Sequence, residues 1–199
     1  MYYRESELRS IGDQVLQRRG FRKYADALVS ESIFDASKTY DTFISHSFKD
    51  AGVILGVAET LKRKGQTVYV DWIEDKGLDR TNVTKETADI LRRRMRASSS
   101  LLYVSSPNAS ISRWMPWELG YFDGYRPNAV SIFPVVQSSD TEWKGQEYLG
   151  LYPVVEKLTR HSVADAFVVR DNQHVLPLGE LRNRTLGTLT KSYDRVIGI

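Results

Sequence analysis

The sequence predicts an α/β domain, a mostly parallel sheet with helices on both faces. Three observations predict it. Short runs rich in β-branched and aromatic residues alternate with segments of helical period. The runs are continuously apolar, as strands covered on both faces are. The segments between them carry helix-start and helix-stop signals. With 199 residues the chain suffices for one well-buried domain plus an extension.

The elements follow in order. Residues 1–38 read as an N-terminal helical extension of two short helices. Leu8, Ile11 and Val15 share one helical face, and Gly20 follows Arg18 and Arg19 as a stop signal. Phe21, Tyr24 and Leu28 form a second stripe. This segment is expected to pack on the main domain or on another subunit. The main domain is drawn over residues 39–160. Residues 40–45 read as its first, buried strand, and Ser47-Phe48-Lys49-Asp50 has capping-box form. Ile54, Val57, Ala58 and Leu61 then share a helix face that ends in Lys62-Arg63-Lys64-Gly65.

Residues 67–71 read as the second strand, and a polar loop from Trp72 to Asn82 leads into an arginine-rich helix. Ala88, Leu91 and Met95 recur there at helical spacing, so Arg92, Arg93, Arg94 and Arg96 read as a solvated face. Residues 101–105 are the third strand and 130–136 the fourth, with a Ser/Asn-rich loop and a helix between them. Residues 151–155 read as a fifth strand. Residues 161–199 are drawn as a C-terminal extension packed on the domain, with a hairpin over 166–178 turning at Asp171-Asn172.

Composition excludes several classes. There is no cysteine, so disulfides, zinc–thiolate sites and thiol nucleophiles are out. A net charge of +3 gives no reason to expect nucleic acid as a partner. No apolar run approaches the roughly 18–20 residues that cross a bilayer, and the N-terminus lacks a signal-peptide layout. A cytoplasmic protein without membrane partners is the expectation. His161 and His174 show no metal spacing, and no metal site is expected. Gly-x-Gly-x-x-Gly, Walker and Gly-x-Ser-x-Gly motifs are absent.

Open parallel sheets bind ligands beyond the carboxyl ends of their strands, where strand order reverses. In the flavodoxin-like order 2-1-3-4-5 that point lies between the first and third strands. Ser45, His46, Ser47 and Phe48 would meet there with Asn108 and the stretch up to Glu118, and Asp71 and Trp72 would border the cleft. The stretch Trp114-Met115-Pro116-Trp117-Glu118 is the most informative. Proline is tolerated only in a first helical turn, so a helix should start between Arg113 and Met115. Glu118 would then lie in or beside its first turn, where the helix dipole favours the anion.

Residues 40–47, Tyr-Asp-Thr-Phe-Ile-Ser-His-Ser, resemble the opening strand and loop of TIR (Toll/interleukin receptor) domains. Trp114 and Glu118 match the Trp-x-x-x-Glu pattern of TIR domains that cleave NAD, whose catalytic residue is that glutamate. The resemblance spans roughly residues 40–136, about half the chain, and the chain also resembles stand-alone bacterial TIR proteins of the Thoeris antiviral type. It implies the flavodoxin-like order, Glu118 as the catalytic carboxylate, and NAD as a consumed substrate with no resident cofactor. It also implies self-association through TIR surfaces and a separate effector that responds to the product.

The residues suit that chemistry. Nicotinamide leaves as a neutral molecule, so one carboxylate can serve where ordinary glycosidases need two. Trp114 or Trp72 is available to stack on a substrate ring, and Ser45, His46 and Ser47 to hold phosphate or ribose at a helix start. Plainer roles compete. Glu118 could serve first-turn amides, Ser47 the following helix as its cap, and Asp71 the next loop. One of Trp114 and Trp117 is expected in the core. His46 reads equally as a ligand contact and as a hydrogen-bonded loop residue. A non-catalytic TIR–TIR interaction module is the alternative function, and a deoxyribosyltransferase relative a third.

Overall fold

The computed structural model describes residues 1–31, 33, 35–72, 84–138, 142–160, 163–171 and 174–178. The elements in chain order are β1 (Tyr3–Arg4), α1 (Glu5–Arg19), α2 (Tyr24–Glu31), β2 (Tyr40–Ser45), α3 (Ala51–Arg63), β3 (Val68–Val70), α4 (Lys85–Arg96) and β4 (Ser98–Ser105). They continue with α5 (Trp114–Tyr125), β5 (Val130–Val136), β6 (Val154–Arg160), β7 (Val163–Asp171) and β8 (His174–Pro177). The order across the sheet is β3-β2-β4-β5-β6-β7-β8. The first five of these pair in parallel and have the flavodoxin-like order that the family resemblance implies. Among the described residues, no helix is long and apolar enough to cross a membrane.

The antiparallel β6–β7–β8 extension joins that same sheet. The hairpin expected over residues 166–178 forms, but its first strand begins earlier, at Val163. The fifth strand also starts later than expected, at Val154, because Pro153 donates no hydrogen bond to a ladder. Its carbonyl instead accepts from the Ile132 N–H. The loop after Trp72 to Asn82, the turn residue Asn172, His161 and residues 179–199 lie outside the described residues.

Alternation along the strands builds two cores. Ile44, Val70, Leu102, Val104 and Phe133 face α1, α2 and α3. Phe43, Tyr69, Leu101, Tyr103 and Ile132 face α4 and α5.

The N-terminal segment belongs to the first of these cores. Tyr3 and Arg4 pair in parallel with Val135 and Val136, and the Tyr3 ring stacks on Phe133 at 4.8 Å. Helix α1 ends as expected at Gly20, whose φ of 72° is left-handed and whose N–H caps the last carbonyls. It lies on α3 so closely that small residues are obligatory. A methyl group on Gly56 would sit 2.0 Å from the Leu8 carbonyl oxygen, and one on Gly12 would sit 2.4 Å from that of Gly52. Glu59 of α3 locks the same interface, accepting from Arg18 at 3.0 Å and from Arg63 at 3.1 Å. Burial by itself raises the Glu59 carboxyl pKa, but the two guanidinium groups outweigh it and hold the group below its usual value.

The arginine-rich face is less solvated than its sequence suggests. Arg93 and Arg96 are exposed, whereas Arg94 is only 15% exposed and reaches the Asp71 carboxylate at 2.6 Å. Arg92 lies over the Trp117 and Tyr121 rings. Charge patterning cannot distinguish an arginine facing water from one aimed at a carboxylate 23 residues earlier in the chain.

Gly56→Ala should destabilise the protein by about 2–3 kcal/mol in urea denaturation, since backbone must move to admit the methyl group. Gly120→Ala, with open space around it, should be neutral or slightly stabilising. Glu59→Gln should cost about 1 kcal/mol or less at neutral pH, because both arginines are half exposed. Its folded pKa is below its unfolded one, so this stabilisation is present above the ordinary carboxylate pKa. It should vanish as pH falls through the folded value, and the two denaturation curves should then converge.

Candidate active site

Strand order reverses between β2 and β4, so the carboxyl ends of these strands frame the crevice. Ser45 ends β2 beside Tyr103 of β4. Helix α5 starts at Trp114, within the predicted window, with Pro116 as its third residue. The Met115 N–H donates to the Ser112 hydroxyl at 3.3 Å, which occupies one of the open first-turn amides.

Glu118 is thus the fifth helical residue, just past the first turn, rather than one of the turn's own acids. Trp114, Glu118 and Phe122 succeed one another at intervals of four and face the sheet together, with exposures of 7%, 3% and 0%. The Trp-x-x-x-Glu spacing is therefore a buried helix stripe with one carboxylate in it. The Ser45 hydroxyl donates to Glu118 Oε2 at 2.6 Å. Tyr103 adjoins this pair, and its hydroxyl pKa is raised, chiefly by burial, then by Tyr148 and by the charge of Glu118.

Trp114 is buried in the α4/α5 core and meets Trp117 edge-on at 5.4 Å. Trp117 is the more exposed of the two and stacks on Tyr121. Asp71 also faces this side of the sheet, bound to Arg94 and within 3.4 Å of the Tyr69 hydroxyl.

The remaining candidates lie elsewhere. Trp72 belongs to the α1–α3 core, is 2% exposed, and stacks with His46 at 5.5 Å and with Phe48 at 4.5 Å. His46 Nδ1 lies 3.0 Å from the Ile44 carbonyl oxygen. Phe48 is 48% exposed. Ser45 and His46 are consecutive, so they turn to opposite faces and divide the candidates into two groups.

Ser47 caps a single 3-10 turn over Phe48–Asp50, accepting from the Lys49 N–H at 3.4 Å. The expected capping box does not close. Asp50 is 2% exposed and directs its carboxylate across the crevice, accepting from the Ser106 hydroxyl and, at 2.6 Å, from Asn108 Nδ2. Asn108 is therefore a strut between the loops after β2 and β4.

No protein-family model matches the chain. It is 57% identical over 127 residues to a Bacillus cereus (strain MSX-D12) protein named as a probable 3' cyclic ADP-D-ribose synthase, ThsB'. It is 35% identical over 85 residues to a Cytobacillus dafuensis protein, TIR2, provisionally named as a cyclic ADP-D-ribose synthase. These matches support a bacterial TIR-like protein. The first match covers 63% of this chain and 65% of the relative, the second 42% and 22%, so the chain spans less than two thirds of either relative.

Sequence reasoning missed Asp50 as a cross-crevice acceptor, Arg94 as the partner of Asp71, and Tyr103 as the strand neighbour of Ser45. The Ser106-Pro107-Asn108 run signalled a polar loop but not which carboxylate it would meet. Among the described residues, no three His, Asp or Glu side chains are grouped to hold a metal ion.

Asp50→Ala should cost about 2–3 kcal/mol in urea denaturation, because it removes a buried charged acceptor of two hydrogen bonds. Amide exchange across residues 105–112 should accelerate with it.

Proposed function

We propose that this TIR-like chain cleaves the bond between nicotinamide and ribose in NAD and closes the remainder into a cyclic ADP-ribose. The observation that carries the reading is the buried Glu118 carboxylate, held by Ser45 beside the reversal of strand order. The names borne by the two relatives support the cyclic product.

The chemistry needs one anion. The C1'–N bond breaks with its electron pair going to nicotinamide, which thereby loses its positive charge and needs no proton. Positive charge develops on the ribose, and Glu118 stabilises it while accepting hydrogen bonds from the ribose hydroxyls. Its dry surroundings make that stabilisation stronger than in water. Ser45 holds the carboxylate in place. A nucleophile of the same ADP-ribose then attacks C1' and releases a proton, giving the ring. Water attack would give ADP-ribose instead. NAD is consumed, and no resident cofactor or metal takes part.

The product would act on a separate effector in antiviral defence, within the cytoplasm, and the chain would self-associate through its TIR surfaces. A purely scaffolding role gives no reason for a carboxylate buried in an otherwise apolar helix stripe.

Chromatography of NAD and products at high protein concentration tests the reading. Wild type should consume NAD and yield a cyclic product. Glu118→Gln should lower the rate at least about 100-fold, as loss of a transition-state charge does. Ser45→Ala should lower it about tenfold, through a less well held carboxylate. Equal rates in wild type and Glu118→Gln would remove Glu118 from the mechanism. An inert wild type would favour the scaffold.

A further inference from the structure

Two adjoining cavities open beyond the carboxyl ends of β4 and β5, of about 260 Å3 and 190 Å3. Ser105, Ser106, Pro107 and Lys144 line both, and Trp143 lines the larger. Neither Glu118 nor Trp114 is among the lining residues. The cavities thus extend the site away from the carboxylate, along β4.

The wall is built by the segment after β5. The Trp143 indole N–H donates to the Ser105 hydroxyl at 3.0 Å, which ties this segment to the end of β4. The ring lies directly on Gly145, where a methyl group would meet it at 2.4 Å. Trp143 and Gly145 bracket Lys144 and set where its side chain emerges. Lys144 is 84% exposed, and the Glu142 carboxylate is 3.8 Å away and 81% exposed, a contact easily exchanged for a better anion.

Charge distinguishes the two cavities. Glu142 and Lys144 both line the larger one, whereas Lys144 is the one charged side chain among the described residues lining the smaller. The smaller cavity also contains Tyr103, the strand neighbour of Ser45, which in turn binds Glu118. Ser105 lies two residues farther along β4, about 7 Å, comparable with the length of a ribose phosphate. A dinucleotide with its ribose at Glu118 would direct its phosphates here.

We propose that the smaller cavity is the subsite for the pyrophosphate of the dinucleotide, with Lys144 as its cation and Trp143, seated on Gly145, as the wall that positions it. This rests on the NAD-cleaving reading above. It makes Lys144 a binding residue and Trp143 a positioning residue, both contributed by a segment outside the Trp-x-x-x-Glu motif.

Calorimetric titration with ADP and with adenosine tests the subsite without requiring turnover. Wild type should bind ADP more tightly than adenosine. Lys144→Ala should weaken ADP about tenfold while sparing adenosine, as loss of one charge-assisted contact does. Lys144→Arg should restore ADP binding, and Gly145→Ala, by displacing Trp143, should weaken it. For NAD cleavage, the effect of Lys144→Ala should fall on KM rather than kcat. ADP binding no tighter than adenosine binding, or unchanged in Lys144→Ala, would overturn the subsite even if NAD is cleaved. Lys144-dependent ADP binding by a wild type that leaves NAD intact would overturn the cleavage reading and keep the anion site.

Discussion

The hydrogen bond from Ser45 to Glu118 is the contact on which the rest of the site depends. It joins the last residue of β2 to a helix that begins 69 positions later, and it holds a carboxylate at 3% exposure. A buried anion is costly unless hydrogen-bonded. Ser45 supplies a donor because the parallel order places β2 beside β4, and α5 leaves β4 over the same face. Strand order, the face of Ser45 and the start of α5 must all agree before the acid has its donor.

The same sheet separates what the linear motif joins. His46 follows Ser45 directly, yet its ring stacks with Trp72 in the opposite core. The loop that carries both residues is tied down by Asp50, whose carboxylate spans the crevice to Ser106 and Asn108. Two carboxylates thus bridge β2 and the segments after β4, one on each side of a single turn. Asp50 holds the frame, and Glu118 is the carboxylate that the proposed reaction uses.

The flanking N-terminal segment packs on the face of the sheet opposite Glu118. Helix α1 can approach α3 because Gly12, Gly52 and Gly56 remove side chains from the contact. Tyr3 stacks on Phe133 beneath the end of β5, from which the Trp143 wall departs. Loss of this packing would reach the proposed subsite through β5.

The sequence by itself determined the local elements. Residues 40–45 and 130–136 form strands with the expected bounds, α5 begins where Pro116 requires, and Gly20 ends α1. These features are legible because they depend on neighbours a few residues away: hydrophobic period, a missing N–H, a positive φ. Glu118 was legible through its spacing from Trp114 together with a family resemblance. Only tertiary structure decided the partners. That Asp50 would serve Ser106 and Asn108 rather than its own turn, that Arg94 would reach Asp71, and that Trp143 would wall a cavity all depend on contacts between segments 23 to 58 residues apart. A side chain's type states what it can bind. Which donor or acceptor comes within 3 Å is set by strand order and by the face it occupies.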